Sequence, residues 1–560
     1  MALNFPHPVQ WLSRFSCKAL GVLTIILLGS PSHALEKSAG VNGIDAKRLH
    51  GAPFNLTGKD IVIGQVELSR PVQFGLDKIV NRLVDLNRYF VQPFEVFFRE
   101  EKAVPNKNID EHAGQVAAVM ISQHKIQTGI APNAKLVSSA YSQRRKDGQP
   151  EASIAAQHLA MQYNGSIRAI NFSFGEPLSE DSRRRPVLDG NALLTLCIDW
   201  LANQYNVLPV VSGNQGNGGI PIPTDTYNGL VIGFTREERG AYTVLDRSNL
   251  IDEPFFDSNE NGKYDQGERF TDLNRDGQWT AGVESPINNR RNLALVAPGN
   301  NILVPNQQGR ITSVSGTSFA SPHVVGTIAL LQEYVERQIE SRAWSTDARR
   351  LEVTKAVLIN SADKLADQGD GKLLGMTKTI YDADGKTWLD SDAYTDRAIP
   401  LSLALGAGQL NAYRAVLQLS AGQHPPGLVP SIGWDTQNIQ TGQFRDYVIN
   451  STLPKGSFVS ATLTWQRTIV LRDRNNNRRY DMGEDFVGNP LHNLDLYLLR
   501  VEDDDLSRSV WSSVSQVDNT EHIFIPVPAT GRYKLRVVFQ TAHHNFPAQR
   551  YGLAWWTAGN

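Results

Sequence analysis

A serine hydroxyl becomes a nucleophile when a base takes its proton and a carboxylate steadies that base. This sequence offers one of each, in separate settings. Ser318 stands in Gly316-Thr317-Ser318-Phe319-Ala320-Ser321-Pro322-His323, just before an apolar-periodic stretch over 324–335. The spacing predicts a tight turn feeding a helix, where the hydroxyl is exposed and unpaired N–H groups carry a positive field. The backbone around it is a candidate oxyanion stabiliser. His112 opens a small-residue helical run, Asp110-Glu111-His112-Ala113-Gly114-Gln115-Val116. Glu67 ends the β-rich run Asp60-Ile61-Val62-Ile63-Gly64-Gln65-Val66-Glu67. A strand-end carboxylate can orient an imidazole and stabilise its charged form, and the imidazole can then accept the serine proton. The chemistry expected is acyl transfer.

Groups so far apart in sequence must be gathered by a scaffold. Over about 42–420, β-rich runs (60–67, 135–139, 169–174, 207–212) alternate with helical ones (the His112 helix, 151–163, 189–204). That alternation predicts an α/β fold, a parallel sheet covered by helices, with the reactive groups at the carboxyl ends of the strands. Gly422-Gln423-His424-Pro425-Pro426-Gly427 reads as a boundary. Beyond it the β-rich runs 460–465, 494–499, 523–527 and 533–539 predict an all-β sandwich over 425–560. Trp555-Trp556 reads as strand packing.

With the order acid, base, serine on an α/β chain, the sequence resembles the subtilisin-like serine peptidases over 41–416. The Ser318 run matches their nucleophile motif nearly residue for residue. The His112 run resembles their histidine motif, with Ala113, Gly114 and Gln115 departing from it. Pro209-Val210-Val211-Ser212-Gly213-Asn214 resembles the strand that ends on the oxyanion asparagine, so the resemblance implies a donor role for Asn214. Ile170-Asn171-Phe172-Ser173-Phe174-Gly175 resembles the strand that pairs with substrate. The resemblance then implies that Ser173, Phe174, Gly175, Ser212 and Gly213 flank the specificity pocket. The chief departure is Glu67, where the family has aspartate. Glutamate keeps the charge and adds one methylene, as in the triad of the related sedolisins. The C-terminal part resembles the jelly-roll modules that follow some subtilase domains.

Asp257-Ser258-Asn259-Glu260-Asn261-Gly262-Lys263-Tyr264-Asp265-Gln266-Gly267-Glu268 fits the EF-hand calcium-loop pattern. Oxygen donors fall at Asp257, Asn259, Asn261, the Lys263 carbonyl, Asp265 and Glu268. A second loop begins at Asp272, Asn274, Asp276 and Gln278, with Glu284 one residue late. A third, Asp473, Asn475, Asn477, Asp481 and Glu484, has Arg478 where glycine is expected. The first two lie in an insertion over about 252–286. Flanking helices are not evident, so these read as calcium loops and not as EF-hand domains.

Arg14 and Lys18 precede an apolar core over 19–29, and Ser32-His33-Ala34 offers a cleavage site, so 1–34 reads as a secretory signal. The apolar core is too short to span a bilayer as an ordinary helix. The chain of 560 residues carries a net charge of −2, which excludes nucleic acid as an evident partner. After cleavage Cys197 is the one cysteine left, so no intrachain disulfide is expected and calcium becomes the natural staple. The reading is a secreted or periplasmic, calcium-stabilised serine endopeptidase over 35–424, acting on proteins or peptides, with no stable membrane insertion. Its oligomeric state is left unassigned. The alternatives are a weakened homologue that binds peptide without cleaving it and a calcium-dependent binding protein led by the β-sandwich.

Overall fold

Val-, Ile- and Leu-rich runs form the strands of the central sheet, and their two faces are buried under different helices. The computed structural model describes residues 34–558 except 79–89, 143–147, 185, 216–220, 239, 246–252, 254, 272–278, 280–286 and 544–546. The segment read as a secretory signal, 1–34, lies outside the described residues except for Ala34, and so does the second expected calcium loop, Asp272, Asn274, Asp276 and Gln278 with Glu284.

The helices are α1 (Ala34–Ala39), α2 (Glu111–Ile121), α3 (Gln149–Met161), α4 (Leu193–Tyr205), α5 (Thr317–Glu340), α6 (Leu351–Asn360), α7 (Asp392–Thr395) and α8 (Ala412–Ser420). The central sheet holds β1 (Val62–Glu67), β2 (Glu95–Phe98), β3 (Glu101–Lys102), β4 (Lys135–Ala140), β5 (Ala169–Phe172), β6 (Leu208–Ser212), β7 (Leu230–Glu238), β8 (Ala241–Val244) and β9 (Leu293–Pro298). A separate hairpin, β10 (Ile302–Pro305) and β11 (Ile311–Val314), precedes α5, and β12 (Ile380–Tyr381) closes one edge of the central sheet. The strand order is β12-β8-β7-β6-β5-β1-β4-β2-β3, with β9 beside β7. Strand β1 is parallel to both neighbours, β4 and β5. The chain fills one side of β1 with β2 and β4 before turning to β5, β6 and β7 on the other. That reversal opens a crevice at the carboxyl end of β1.

On one face of the sheet Val116, Val119, Val324, Ile328, Val357 and Val416 build a core from α2, α5, α6 and α8. On the other face Ala155, Leu159, Leu194 and Ile198 of α3 and α4 build a second core. The Cys197 thiol is buried in it, its Sγ directed at the Ser153 carbonyl at 3.7 Å.

The remaining strands are β13 (Gly427–Val429), β14 (Ile432–Gln440), β15 (Phe444–Ile449), β16 (Phe458–Trp465), β17 (Ile469–Leu471), β18 (Phe486–Gly488), β19 (Asn493–Arg500), β20 (Trp511–Ser513), β21 (Thr520–Pro526), β22 (Tyr533–Thr541) and β23 (Ala548–Thr557). A sheet ordered β13-β15-β22-β19-β20 faces one ordered β14-β23-β16-β21 across a core that includes Tyr447, Leu463, Leu496, Val537 and Leu553. The second sheet turns its other face to the helices. Ser460 Oγ donates to Asn360 Oδ1 at 2.9 Å, and Thr464 Oγ1 donates to the Glu352 carbonyl at 2.9 Å. A Cβ at Gly552 would come within 2.5 Å of the Glu352 backbone, so β23 can lie on α6 only with glycine there. Trp434 and Phe524 join the α5–α6 core, and one compact unit spans both parts of the chain.

Candidate active site

Strand alternation sorts the residues of β1 between the two faces. Val62 and Val66 pack toward α3 and α4, and Ile63 toward α2 and α5. Gln65 and Glu67 therefore face α2. The Glu67 side chain is only 2% exposed, and its Oε2 lies 3.4 Å from His112 Nδ1. His112 sits in the first turn of α2 with its side chain 36% exposed, so the ring is held by the acid and open to the crevice.

Arg70 joins the two segments that carry this pair. Its N–H donates to the Asn108 carbonyl at 2.7 Å, and its carbonyl accepts from the Asp110 N–H at 3.0 Å. Its buried guanidinium grips Asp77 with two bonds of 2.8 Å and reaches the Val104 carbonyl at 3.1 Å. The loop after Glu67 is thus laced to the loop before His112. Burial pushes the Glu67 carboxyl above its ordinary range, outweighing the pull of His112. Burial pulls the His112 imidazole down, but the Glu67 carboxylate, helped by Asp110, more than offsets this, so it titrates above its ordinary value.

The serine is positioned by a glycine and a glutamine. Gly316 precedes α5 with φ +139°, a conformation that favours glycine, and a Cβ there would meet the Gln215 amide at 3.0 Å. Gln215 Oε1 accepts from the Thr317 N–H at 2.5 Å and from its hydroxyl at 2.9 Å. This caps the helix whose second residue is Ser318. Ser318 Oγ donates to the Ser173 carbonyl at 3.3 Å and is not directed at His112. In return Ser173 Oγ donates to the Ser318 carbonyl at 2.9 Å. Asn171 Nδ2 donates to Ser173 Oγ at 2.8 Å, and Ser321 Oγ donates to Asn171 Oδ1 at 2.9 Å. The Phe319 ring stands 5.6 Å from the His112 ring, which brings the two helix starts together. His323 is fully buried, bonded to Ser38 Oγ at 2.9 Å, and pushed by burial to a pKa of about 4, so it is a neutral packing residue.

Asn214 is buried just past the end of β6. Gly213 N–H donates to the Ile232 carbonyl at 2.8 Å, and Ser212 closes the strand. Phe174 is buried with its ring 4.7 Å from that of Tyr141, and Gly175 is partly exposed beside it. The candidate residues thus fall at the carboxyl ends of β1, β5 and β6 and at the starts of α2 and α5. Gln65, Arg70, Asp77 and Gln215 were not singled out from sequence. A polar residue inside an apolar strand was the one visible signal, and it was Gln65.

The two described loops that fit the calcium-loop pattern share one hydrogen-bond scheme. Asp257 Oδ1 and Oδ2 accept from the Asn261 and Gly262 N–H groups at 3.1 and 2.6 Å. Asp473 Oδ1 and Oδ2 accept from Asn477 and Arg478 at 3.2 and 2.7 Å. Glu268 accepts from the Ser258 and Asp265 N–H groups, and Glu484 from those of Arg474 and Asp481. Asp265 takes both asparagine amides of its loop, as Asp481 does in the other. The motif extends further than the loop: Tyr264 and Tyr480, Gly267 and Gly483, and Phe270 and Phe486 stand at matching positions. Phe255 makes an isolated antiparallel bridge to Phe270, and Leu471 of β17 pairs with Phe486 of β18, so each loop is closed by a pairing at matching positions. Among the described residues no group of three or more His, Cys, Asp or Glu side chains is gathered as a metal cage. The donors are all oxygen and rich in carboxylate, which fits a hard cation such as calcium.

The subtilase family model matches residues 77–377, a span that holds His112, Asn214 and Ser318 and leaves Glu67 outside. An alkaline protease of Alkalihalobacillus alcalophilus is 25% identical over 221 residues, 40% of this chain and 43% of that protein. Subtilisin Savinase of Lederbergia lenta is 25% identical over the same length, 61% of that protein. The C5a peptidase of Streptococcus pyogenes is 34% identical over 100 residues, 18% of this chain and 8% of that protein. The chain thus spans less than two thirds of the length of these relatives. Among solved structures, the prenylagaramide maturation protease PagA gives a TM-score of 0.38 at 21% identity, covering 67% of this chain and 98% of that one.

Proposed function

Because this chain belongs to the subtilase family of serine peptidases, we propose that it is an active, exported, calcium-stabilised endopeptidase cleaving proteins or peptides through Glu67, His112 and Ser318. The observation that carries this reading is the buried Glu67 carboxylate 3.4 Å from His112 Nδ1, at the strand reversal where α5 begins. Glu67 fixes the imidazole with Nδ1 as donor, which leaves Nε2 free to accept the Ser318 proton. The serine oxygen turns from the Ser173 carbonyl toward the base and attacks the scissile carbonyl. The imidazolium, stabilised by Glu67, then gives its proton to the leaving amine. The side-chain amide of Asn214 and the Ser318 N–H are the proposed donors to the oxyanion. Water repeats the sequence to release the acid.

Asp257, Asn259, Asn261, the Lys263 carbonyl, Asp265 and Glu268 would hold one calcium ion, and Asp473, Asn475, Asn477, Asp481 and Glu484 another. Bound calcium supplies stability by mass action and takes no part in acyl transfer. The leader over 1–34 supports export. Among the described residues no helix is long and apolar enough to cross a membrane.

Intact-mass analysis after treatment with a fluorophosphonate tests the reading, beside a Ser318→Ala control. One stoichiometric adduct, absent from the control, is expected. Folded protein that takes no adduct would overturn the catalytic reading in favour of peptide binding without cleavage.

A further inference from the structure

Gln65 is an anomaly. It is fully buried inside β1, whose residues up to Glu67 are otherwise aliphatic or glycine. A buried amide is costly unless its hydrogens are used. One is: Nε2 donates to the Ala113 carbonyl at 3.0 Å, in the first turn of α2 and one residue beyond His112. Two residues along the strand and on the same face, Glu67 turns Oε2 to His112, while its Oε1 and the Oε1 of Gln65 are both buried without a hydrogen bond. The Gln65 amide lies close enough to this carboxylate to favour its charged form.

We propose that Gln65 is a positioning residue: one amide hydrogen ties α2 to β1 beside His112, and the other serves the Glu67 oxygen turned away from the imidazole. A glutamate has one more rotatable bond than an aspartate, and a donor beneath its carboxylate supplies the fixity the shorter side chain has by reach alone. The titratable groups facing the Glu67–His112 pair are Asp110 and Tyr141. The proposal rests on the Glu67–His112–Ser318 reading, but it can be tested apart from it.

Gln65→Met keeps the volume and removes both hydrogens. In Ser318→Ala protein the His112 ring is titrated by NMR with Gln65 present and replaced. In Ser318 protein the rate of fluorophosphonate labelling is compared. The expected result is an His112 titration that falls toward its ordinary value and labelling slowed about 10- to 100-fold, as for a reacting group displaced by a fraction of an ångström. In the Glu67→Gln background the same change should have a smaller effect, because only the tie to the Ala113 carbonyl is then left to lose. An unchanged His112 titration in Gln65→Met overturns the proposal, as does equal slowing in the Glu67→Gln background. If the parent protein takes no label, the catalytic reading fails, and the titration in Ser318→Ala protein still decides for or against Gln65.

Discussion

Glu67 and the carboxylates of the 257–268 loop are the same chemical group in opposite surroundings. Glu67 is buried against α2, and desolvation raises its pKa. Asp265 and Glu268 stand in solvent, and the Asn259 and Asn261 amides and the Asp265 and Ser258 N–H groups lower theirs. Burial without a full set of donors makes a carboxylate responsive to the charge on its partner, which suits an acid that steadies an imidazolium. A ring of donors in water keeps a carboxylate charged, which suits a group that waits for a cation. The same contrast divides the two loops. The 257–268 loop anchors Tyr264 against Trp279, stacked at 4.6 Å, within its own insertion. In the 473–484 loop the Tyr480 N–H and carbonyl are bonded to the Gln157 amide of α3 at 2.6 and 3.0 Å. Phe486 meets Tyr480 at 5.2 Å and Trp200 of α4 at 5.6 Å.

The largest expected effect tests the catalytic half of this contrast. Glu67→Gln keeps the shape and removes the charge, so kcat/KM at neutral pH should fall about 10³- to 10⁴-fold, by analogy with loss of a triad acid. The pH profile sharpens the point. The base acts when neutral, so kcat/KM should rise with pH through a midpoint above the ordinary histidine value of 6.5, because His112 is raised. In Glu67→Gln that midpoint should drop to 6.5 or below. A midpoint indifferent to Glu67 would break the contrast.

Next in size comes the docking of the second loop. Tyr480 is 1% exposed, and Tyr480→Ala should cost about 3–5 kcal/mol in denaturant unfolding. Tyr264→Ala, at a partly exposed site within the insertion, should cost markedly less, and equal costs would show that the two hairpins are equivalent. Chelation should come third. At calcium a hundredfold above Kd, its removal should cost about 2.7 kcal/mol per site, seen as a fall in Tm that added calcium reverses. Glu484→Gln should remove more of that calcium-dependent stability than Glu268→Gln, since its loop holds the sandwich to α3 and α4. The smallest effect concerns the position that is Gly262 in one loop, with φ +74°, and Arg478 in the other, with φ +63°. Arg478→Gly should raise stability by about 0.5–1 kcal/mol by relieving a left-handed arginine, and Gly262→Arg should lower it by a similar amount.

The sequence was most legible where local period and motif set an element by themselves. The parallel strands announce themselves through period, and Glu67 and His112, read from separate runs, stand 3.4 Å apart in the structure. The supports of the site were not legible, because each acquires its role from a partner distant in the chain. Gln215 reaches Thr317 across 102 positions and Gln65 reaches Ala113 across 48. Arg70, just past the end of β1, is fully buried on Asp77, seven positions on. Gln157 and Tyr480 stand 323 positions apart. A Pro/Gly run marks the turn between α8 and β13, but local composition carries no trace of the sheet that presses on α6.

That contact between Gly552 and α6 bears on the life of the chain before it is finished. Strand β23 lies between β14 and β16 and follows both of them in the chain. Until about residue 557 has emerged, the four-stranded sheet lacks an inner strand and α6 lacks its cover. A nascent copy therefore already carries Glu67, His112 and Ser318 but not the strand that packs on α6. The packing of α6 thus waits on a residue 200 positions farther along the chain (552 against 352), so the helix layer of the peptidase fold and the sheet after it settle as one folding event.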